Sequence, residues 1–115
     1  MPYEPFEDVR IERTDLEITR LGFGSYERLH AETWPGVLAA IAAANIRNYS
    51  IYRHDQTLFA YFEYVGDALE ADMAAMAADP TIIEWWALTD AMQVPYPERE
   101  PGSWWLTLPE VFHTG

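Results

Sequence analysis

Tyr26, His30 and Trp34 recur at four-residue intervals in the stretch SYERLHAETWPG, and a proline follows at once. Residues four apart lie one above the other on a helix, so a phenol at 26 and an imidazole at 30 present themselves to the same neighbour. An imidazole titrates near neutral pH and can take up or release a proton, while a phenol hydrogen-bonds. The same spacing equally suits the edge of a core, where Tyr and His are often packed. On its own the pair leaves both readings open: acid/base chemistry on a small ligand, or interior packing.

Trp85-Trp86, in PTIIEWWALTDAM, is the second candidate. Adjacent side chains point in different directions, so one indole of the pair is expected in the core. The alternative is a stacking wall, because a flat indole covers the C–H face of a sugar ring and keeps an N–H for hydrogen bonding. Trp104 and Trp105 read as core packing. His30-x-Glu32 does not make a metal site, since positions two apart face different sides of a helix and no second histidine sits one turn away. His54, at a turn, and His113, near the C-terminus, read as solvated residues, and Glu63, Asp67, Glu70 and Asp72 as a solvated acidic face.

Composition removes whole chemistries. All seven basic residues are arginine, against 19 acids, and the net charge is −12. Nucleic acid and anionic membrane surfaces are therefore unsuitable partners, because phosphate binding needs clustered positive charge. Without lysine there is no internal Schiff base, and without cysteine there is no thiol nucleophile, disulfide or zinc knuckle. The acidic, proline-broken start MPYEPFEDVRIE is not a secretory signal, and no apolar run approaches the roughly 20 residues that span a bilayer, so a cytoplasmic protein is expected.

The elements that must position these residues follow from pattern. Residues 1–8 read as a loose lead-in, and 9–115 as one domain. Val9 and Ile11, then Leu16 and Ile18, alternate as a half-buried strand with a break near Thr14-Asp15. Gly22 and Gly24 end it, and Ser25 caps a short helix bearing Tyr26, Leu29 and His30. TWPGVLAAIAAA predicts a second helix capped by Thr33, with Trp34, Val37, Leu38 and Ile41 on its core face. NIRNYSIYRHDQTLFAYFEYV reads as a hairpin turning at HDQ.

Both faces of that hairpin carry large apolar groups, and helices in so small a chain cover only one face of an antiparallel sheet, so the other face is expected to meet a second copy. DALEADMAAMAADP and PTIIEWWALTDAM read as helices, QVPYPEREPGS as a loop, and WWLTLPEVFH as a closing strand interrupted by Pro109. The order is the split βαβ arrangement of a ferredoxin-like α+β sandwich, βαββαβ.

YERLHAETWPGVLAAI, IRNYSIY, LFAYFEY, EWWALTDAM and LPEVFH, in this order from about Tyr26 to the end, resemble the L-rhamnose mutarotase family. The resemblance implies a dimeric α+β barrel of ferredoxin-like subunits, with His30 as catalytic acid and Tyr26, Tyr49, Trp85 and Trp86 as sugar contacts. It implies a monosaccharide substrate, a homodimer, and no metal or organic cofactor. The expected activity is interconversion of the α and β anomers of L-rhamnose or a related 6-deoxy pyranose. Two alternatives remain beside it: a cofactor-free cyclase or isomerase of similar barrel architecture, and a non-catalytic dimeric sugar-binding module. RLGFG stands where the family has a proline-containing turn, and the 93–103 loop is longer and more aromatic than the family pattern.

Overall fold

The computed structural model describes residues 13–22 and 26–115. The lead-in 1–8, the alternation of Val9 and Ile11, and the Ser25 cap lie outside them. Four elements form the first part of the chain: β1 (Arg13–Leu21), α1 (Tyr26–Ala31), α2 (Pro35–Ala43) and β2 (Ile46–His54). They are followed by β3 (Thr57–Tyr64), α3 (Leu69–Ala78), α4 (Pro80–Ala91), β4 (Gln93–Val94) and β5 (Leu106–Thr107). The sheet is antiparallel with order β2-β3-β1, and both β4 and β5 pair with the remaining edge of β1. This is the α+β sandwich that the order of elements predicts.

TLFAYFEY of β3 shows why the sheet has two unlike faces. Its residues alternate in a period of two, and Leu58, Ala60, Phe62 and Tyr64 are all buried beneath the helices. The intervening Phe59 and Tyr61 face the other way, opposite Ile18 and Leu16 of β1. On that open face Tyr52 is 64% exposed and Leu16 42%. The hairpin turn is two residues, Asp55-Gln56, with Asp55 in the left-handed region at φ 50° that Asp tolerates.

Under the helices, Val37, Ala40, Ile82 and Trp85 form a core against Leu29, Trp34, Ile41 and Met76, and Ala44, Ile46 and Phe62 form a second cluster beside it. Pro35 and Pro80 each open a helix, where a missing N–H costs nothing. Asp79 caps α4 by accepting from the Thr81 and Ile82 amides at 2.8 and 3.4 Å. Asp79→Ala is expected to cost about 1 kcal/mol in urea unfolding, because the first amides of α4 lose their acceptor.

Several expectations are corrected. β1 is unbroken through Thr14-Asp15, where it pairs with Glu63 and Phe62 in continuous register. Thr33 does not cap α2; its hydroxyl donates to the His30 carbonyl at 2.8 Å and closes α1, and Trp34 is the cap position. Leu38 is 56% exposed, and the small Ala40 takes the buried place against α4. The closing strand is two short pieces, because residues 95–105 loop out between β4 and β5 and only Leu106–Thr107 return to the ladder. That loop takes Trp104 and Trp105 out of the core: Trp104 lies under the Arg99 guanidinium, and neither indole is buried.

The acidic face is also less simple than its composition. Asp72 accepts hydrogen bonds from the Tyr64 hydroxyl and, at 3.0 Å, from the Asn45 amide, which together hold its carboxyl below the usual range. Tyr64 in turn accepts from the Ala68 amide, so this network fastens the start of α3 to the sheet. Glu63 accepts from Tyr61 and Asn48 on the open face.

Candidate functional site

α1 is a single short helix, and its job is to hold one ring. The His30 Nδ1 lies 2.9 Å from the Tyr26 carbonyl oxygen. A carbonyl only accepts, so Nδ1 carries the proton and donates, and Nε2 of the neutral ring is left with its lone pair. The Tyr26 ring stacks on the imidazole at 4.2 Å and 28°, and Trp85 meets it edge-on at 5.1 Å and 71°. The imidazole is thereby fixed on two sides. Burial pushes its pKa below 6.5, against a smaller opposing pull from the Tyr26 carbonyl.

A cavity of about 340 Å³ opens beside this ring, within the range of small-ligand pockets, which starts at roughly 300 Å³. His30, Thr33 and Tyr49 are its polar lining; Ile41, Ile51, Trp85 and Trp86 are among its apolar walls. α4 sets the two tryptophans on one side. Trp85 is 4% exposed and also braces Trp34 at 5.1 Å, whereas Trp86 is 38% exposed at the cavity wall. The pair thus divides as its adjacency predicts, one indole in the core and one at its margin, yet both reach the cavity.

Tyr49 arrives there through a feature invisible to simple alternation. The β2–β3 register slips between Arg47 and Ser50, and Asn48 adopts φ 50°. The extra residue of this bulge rotates Tyr49 to the helix side, where it packs on Phe62 at 5.8 Å and lines the cavity. Burial pushes the Tyr49 phenol well above its ordinary value, with the charge of Glu17 adding to it.

Tyr26 stands apart from the other four. It is 4% exposed and lines, with Glu27, Arg53 and Leu58, an adjoining cleft that shares His30 and Ile51 with the cavity. Burial pushes its phenol up strongly; the Gln93 side chain pulls in the opposite direction as a hydrogen-bonding partner, and Asp90 and Glu17 add their charges. Sequence reasoning missed Gln93, Glu17 and Thr33 here. Glu17 was legible only once strand register placed it on the helix-facing side opposite Ala60. Among the described residues no cluster of three His, Asp or Glu could hold a metal, and no helix is long and apolar enough to cross a membrane.

The class of structure is an antiparallel α+β sandwich with an oriented imidazole at an aromatic-walled cavity. The model of the L-rhamnose mutarotase family matches residues 15–114, and the chain belongs to that family of isomerases. A relative from Opitutus terrae, named L-rhamnose mutarotase, is 38% identical over 90 residues, covering 76% of this chain and 82% of its own. An L-fucose mutarotase from Xanthomonas campestris pv. campestris is 34% identical over 101 residues, covering 85% of this chain and 81% of its own. The crystal structure of an L-rhamnose mutarotase from Formosa agariphila superposes with a TM-score of 0.68 at 22% identity, covering 90% of this chain and all of that one, and supports the fold.

Proposed function

We propose that the chain is a mutarotase for L-rhamnose or a closely related 6-deoxy pyranose, with His30 as its acid/base. The observation that carries this reading is the His30 tautomer: Nδ1–H is committed to the Tyr26 carbonyl, which leaves Nε2 as the one basic atom of the ring beside an aromatic cavity. Nε2 takes the proton from the anomeric hydroxyl; the C1–O5 bond breaks with its electron pair going to O5, and the imidazolium returns the same proton to O5. The open aldehyde rotates about its C1–C2 bond and recloses by the reverse sequence. O1 and O5 are bonded to one carbon, so a single nitrogen serves both oxygens in turn.

In this reading Tyr49 orients the ring by a hydrogen bond from the sheet, and Trp85 and Trp86 cover its C–H face and 6-methyl group. Tyr26 supports His30 from behind, through its ring face and its carbonyl. The steps use only this chain's side chains. Names of relatives that act on L-rhamnose and on L-fucose support a 6-deoxy sugar. Saturation-exchange NMR of L-rhamnose is expected to show faster α–β interconversion with the protein than with buffer. No acceleration for L-rhamnose, L-fucose or other common pyranoses would overturn the reading.

The working unit in this proposal is a homodimer of one-domain chains spanning residues 9–115, in the cytoplasm. Its support is the open sheet face, where Leu16, Ile18, Phe59, Tyr61 and Leu106 share one side of three strands. Covering that face with a second copy removes apolar surface from water. Sedimentation is expected to give about twice the 13.3 kDa chain mass, and Leu16→Glu to shift it to monomer. A stable wild-type monomer at micromolar concentration would contradict this assembly.

A further inference from the structure

Thr33 lines the ligand cavity together with His30, and the proton-transfer scheme gives it no part. It stands half-buried in the short link between α1 and α2, just past the helix that carries the imidazole. Its hydroxyl donates to the His30 carbonyl at 2.8 Å. A threonine hydroxyl has one proton and two lone pairs, so the proton is committed to the backbone and the lone pairs are what remains. Among the described residues nothing donates to that oxygen. Branching at Cβ stiffens χ1 and the bond to the carbonyl fixes the rotor. Thr33 Oγ1 is thus a preset acceptor, held against the backbone of the residue that supplies the base.

Few other groups around the cavity can accept. Indole N–H groups only donate, and walls such as Val37, Ile41, Ile51 and Ile82 do neither. In the proposed reaction His30 Nε2 is occupied by the anomeric hydroxyl, which leaves the Tyr49 phenol and Thr33 Oγ1 for the hydroxyls at C2, C3 and C4. Burial keeps the Tyr49 phenol protonated, so it has a proton to give as well as lone pairs. Thr33 offers lone pairs alone. A sugar hydroxyl taken out of water without an acceptor costs binding free energy, so a ring hydroxyl on this side of the cavity is favoured where it ends on Thr33.

We infer that Thr33 is a specificity-determining residue: its hydroxyl oxygen accepts a hydrogen bond from one ring hydroxyl of the bound 6-deoxy pyranose, at the side of the cavity formed by the end of α1. The inference rests on the proposed sugar substrate, but it can be read from binding alone, without turnover. A sugar that lacks this hydroxyl leaves Thr33 Oγ1 unpaired. The acceptor therefore discriminates among pyranoses that the apolar walls hold equally well, as a site built to hydrogen-bond a hydroxyl rejects the analogue without it.

The test sets Thr33→Val, which keeps the branched shape and removes the hydroxyl, beside Thr33→Ser, which keeps the hydroxyl. The probes are L-rhamnose and its 2-, 3- and 4-deoxy analogues, with affinity measured by NMR titration and anomer exchange by saturation transfer. Thr33→Val is expected to weaken L-rhamnose binding about 5- to 10-fold, and Thr33→Ser to recover most of it. One deoxy sugar is expected to bind the wild type as weakly as L-rhamnose binds Thr33→Val, and to lose less than about twofold on the same substitution. That sugar identifies the hydroxyl. Unchanged L-rhamnose affinity in Thr33→Val overturns the inference. So does an equal loss for every sugar, which makes Thr33 only a structural closure of α1, or a fall in kcat at constant affinity, which makes it a support for His30. Should Thr33→Val not fold, Thr33→Ala carries the same comparison, and a wild type that binds every deoxy sugar as tightly as L-rhamnose overturns the inference with no variant at all. If the wild type binds L-rhamnose without accelerating its anomer exchange, the mutarotase reading fails while the affinities still decide the role of Thr33; a wild type that binds none of these sugars overturns both.

Discussion

His30→Ala is expected to lower the rate of enzyme-catalysed anomer exchange by about 10²–10⁴-fold, the usual contribution of a positioned acid/base. The folded state loses one hydrogen bond and two ring contacts at a half-buried position, so its stability should fall by only about 1–2 kcal/mol. The same group sets the pH dependence. Burial depresses the His30 pKa below 6.5, so the neutral ring with a free Nε2 is present at and above neutrality. Activity should therefore hold level near pH 7 and fall as the pH drops through that lowered value, placing the acid limb below 6.5.

Stability has the same sign. A base whose folded pKa is depressed binds fewer protons in the native state than in the unfolded one. Its contribution is complete above the unfolded value near 6.5 and is lost as the pH falls through the folded value. A catalytic acid limb above 6.5, or anomer exchange that survives His30→Ala at wild-type speed, would remove His30 from the chemistry while leaving the enzyme reading in place.

The fold was readable from the chain because its signals are local. Alternation in TLFAYFEY, prolines at helix starts, and the HDQ turn all act within a few residues, and their order leaves little choice of sheet topology. The long-range closure was not readable. Nothing local in QVPYPEREPGSWWLTLPEVFH says that Arg20, 74 and 75 residues away in sequence, clamps Val94 and Pro95, or that only Gln93–Val94 and Leu106–Thr107 join the ladder.

The site divides along the same line. His30 on Tyr26 is an i to i+4 relation within one helix and could be read from spacing, as could one core indole in Trp85-Trp86. The bulge that turns Tyr49 depends on pairing with β3, and Asn48 is only a weak hint of its positive φ. Gln93 looks like an ordinary polar loop residue until the β1–β4 register pairs it with Leu21 and buries it. Tyr26 also shows why residue type alone was ambiguous: it packs in the interior and serves the imidazole at once.

The tryptophan pair supplies the second large effect, because two identical neighbours should fail differently. Trp85→Ala opens a hole among Val37, Ala40 and Ile82 and removes the edge-on contact to His30. It is expected to cost about 3–5 kcal/mol in urea unfolding, a large share of the roughly 5–15 kcal/mol that holds a domain together. Trp86 is 38% exposed and belongs to neither buried cluster. Trp86→Ala should change stability by less than about 1 kcal/mol but weaken sugar binding about 2- to 10-fold, the worth of one aromatic face. Trp85→Phe separates the roles of the first indole: it restores most of the buried volume, so stability should recover further than the rate if the contact with His30 matters for catalysis. Equal losses of stability at 85 and 86 would contradict the assignment of one indole to the core, and unaltered sugar affinity in Trp86→Ala would remove it from the ligand wall.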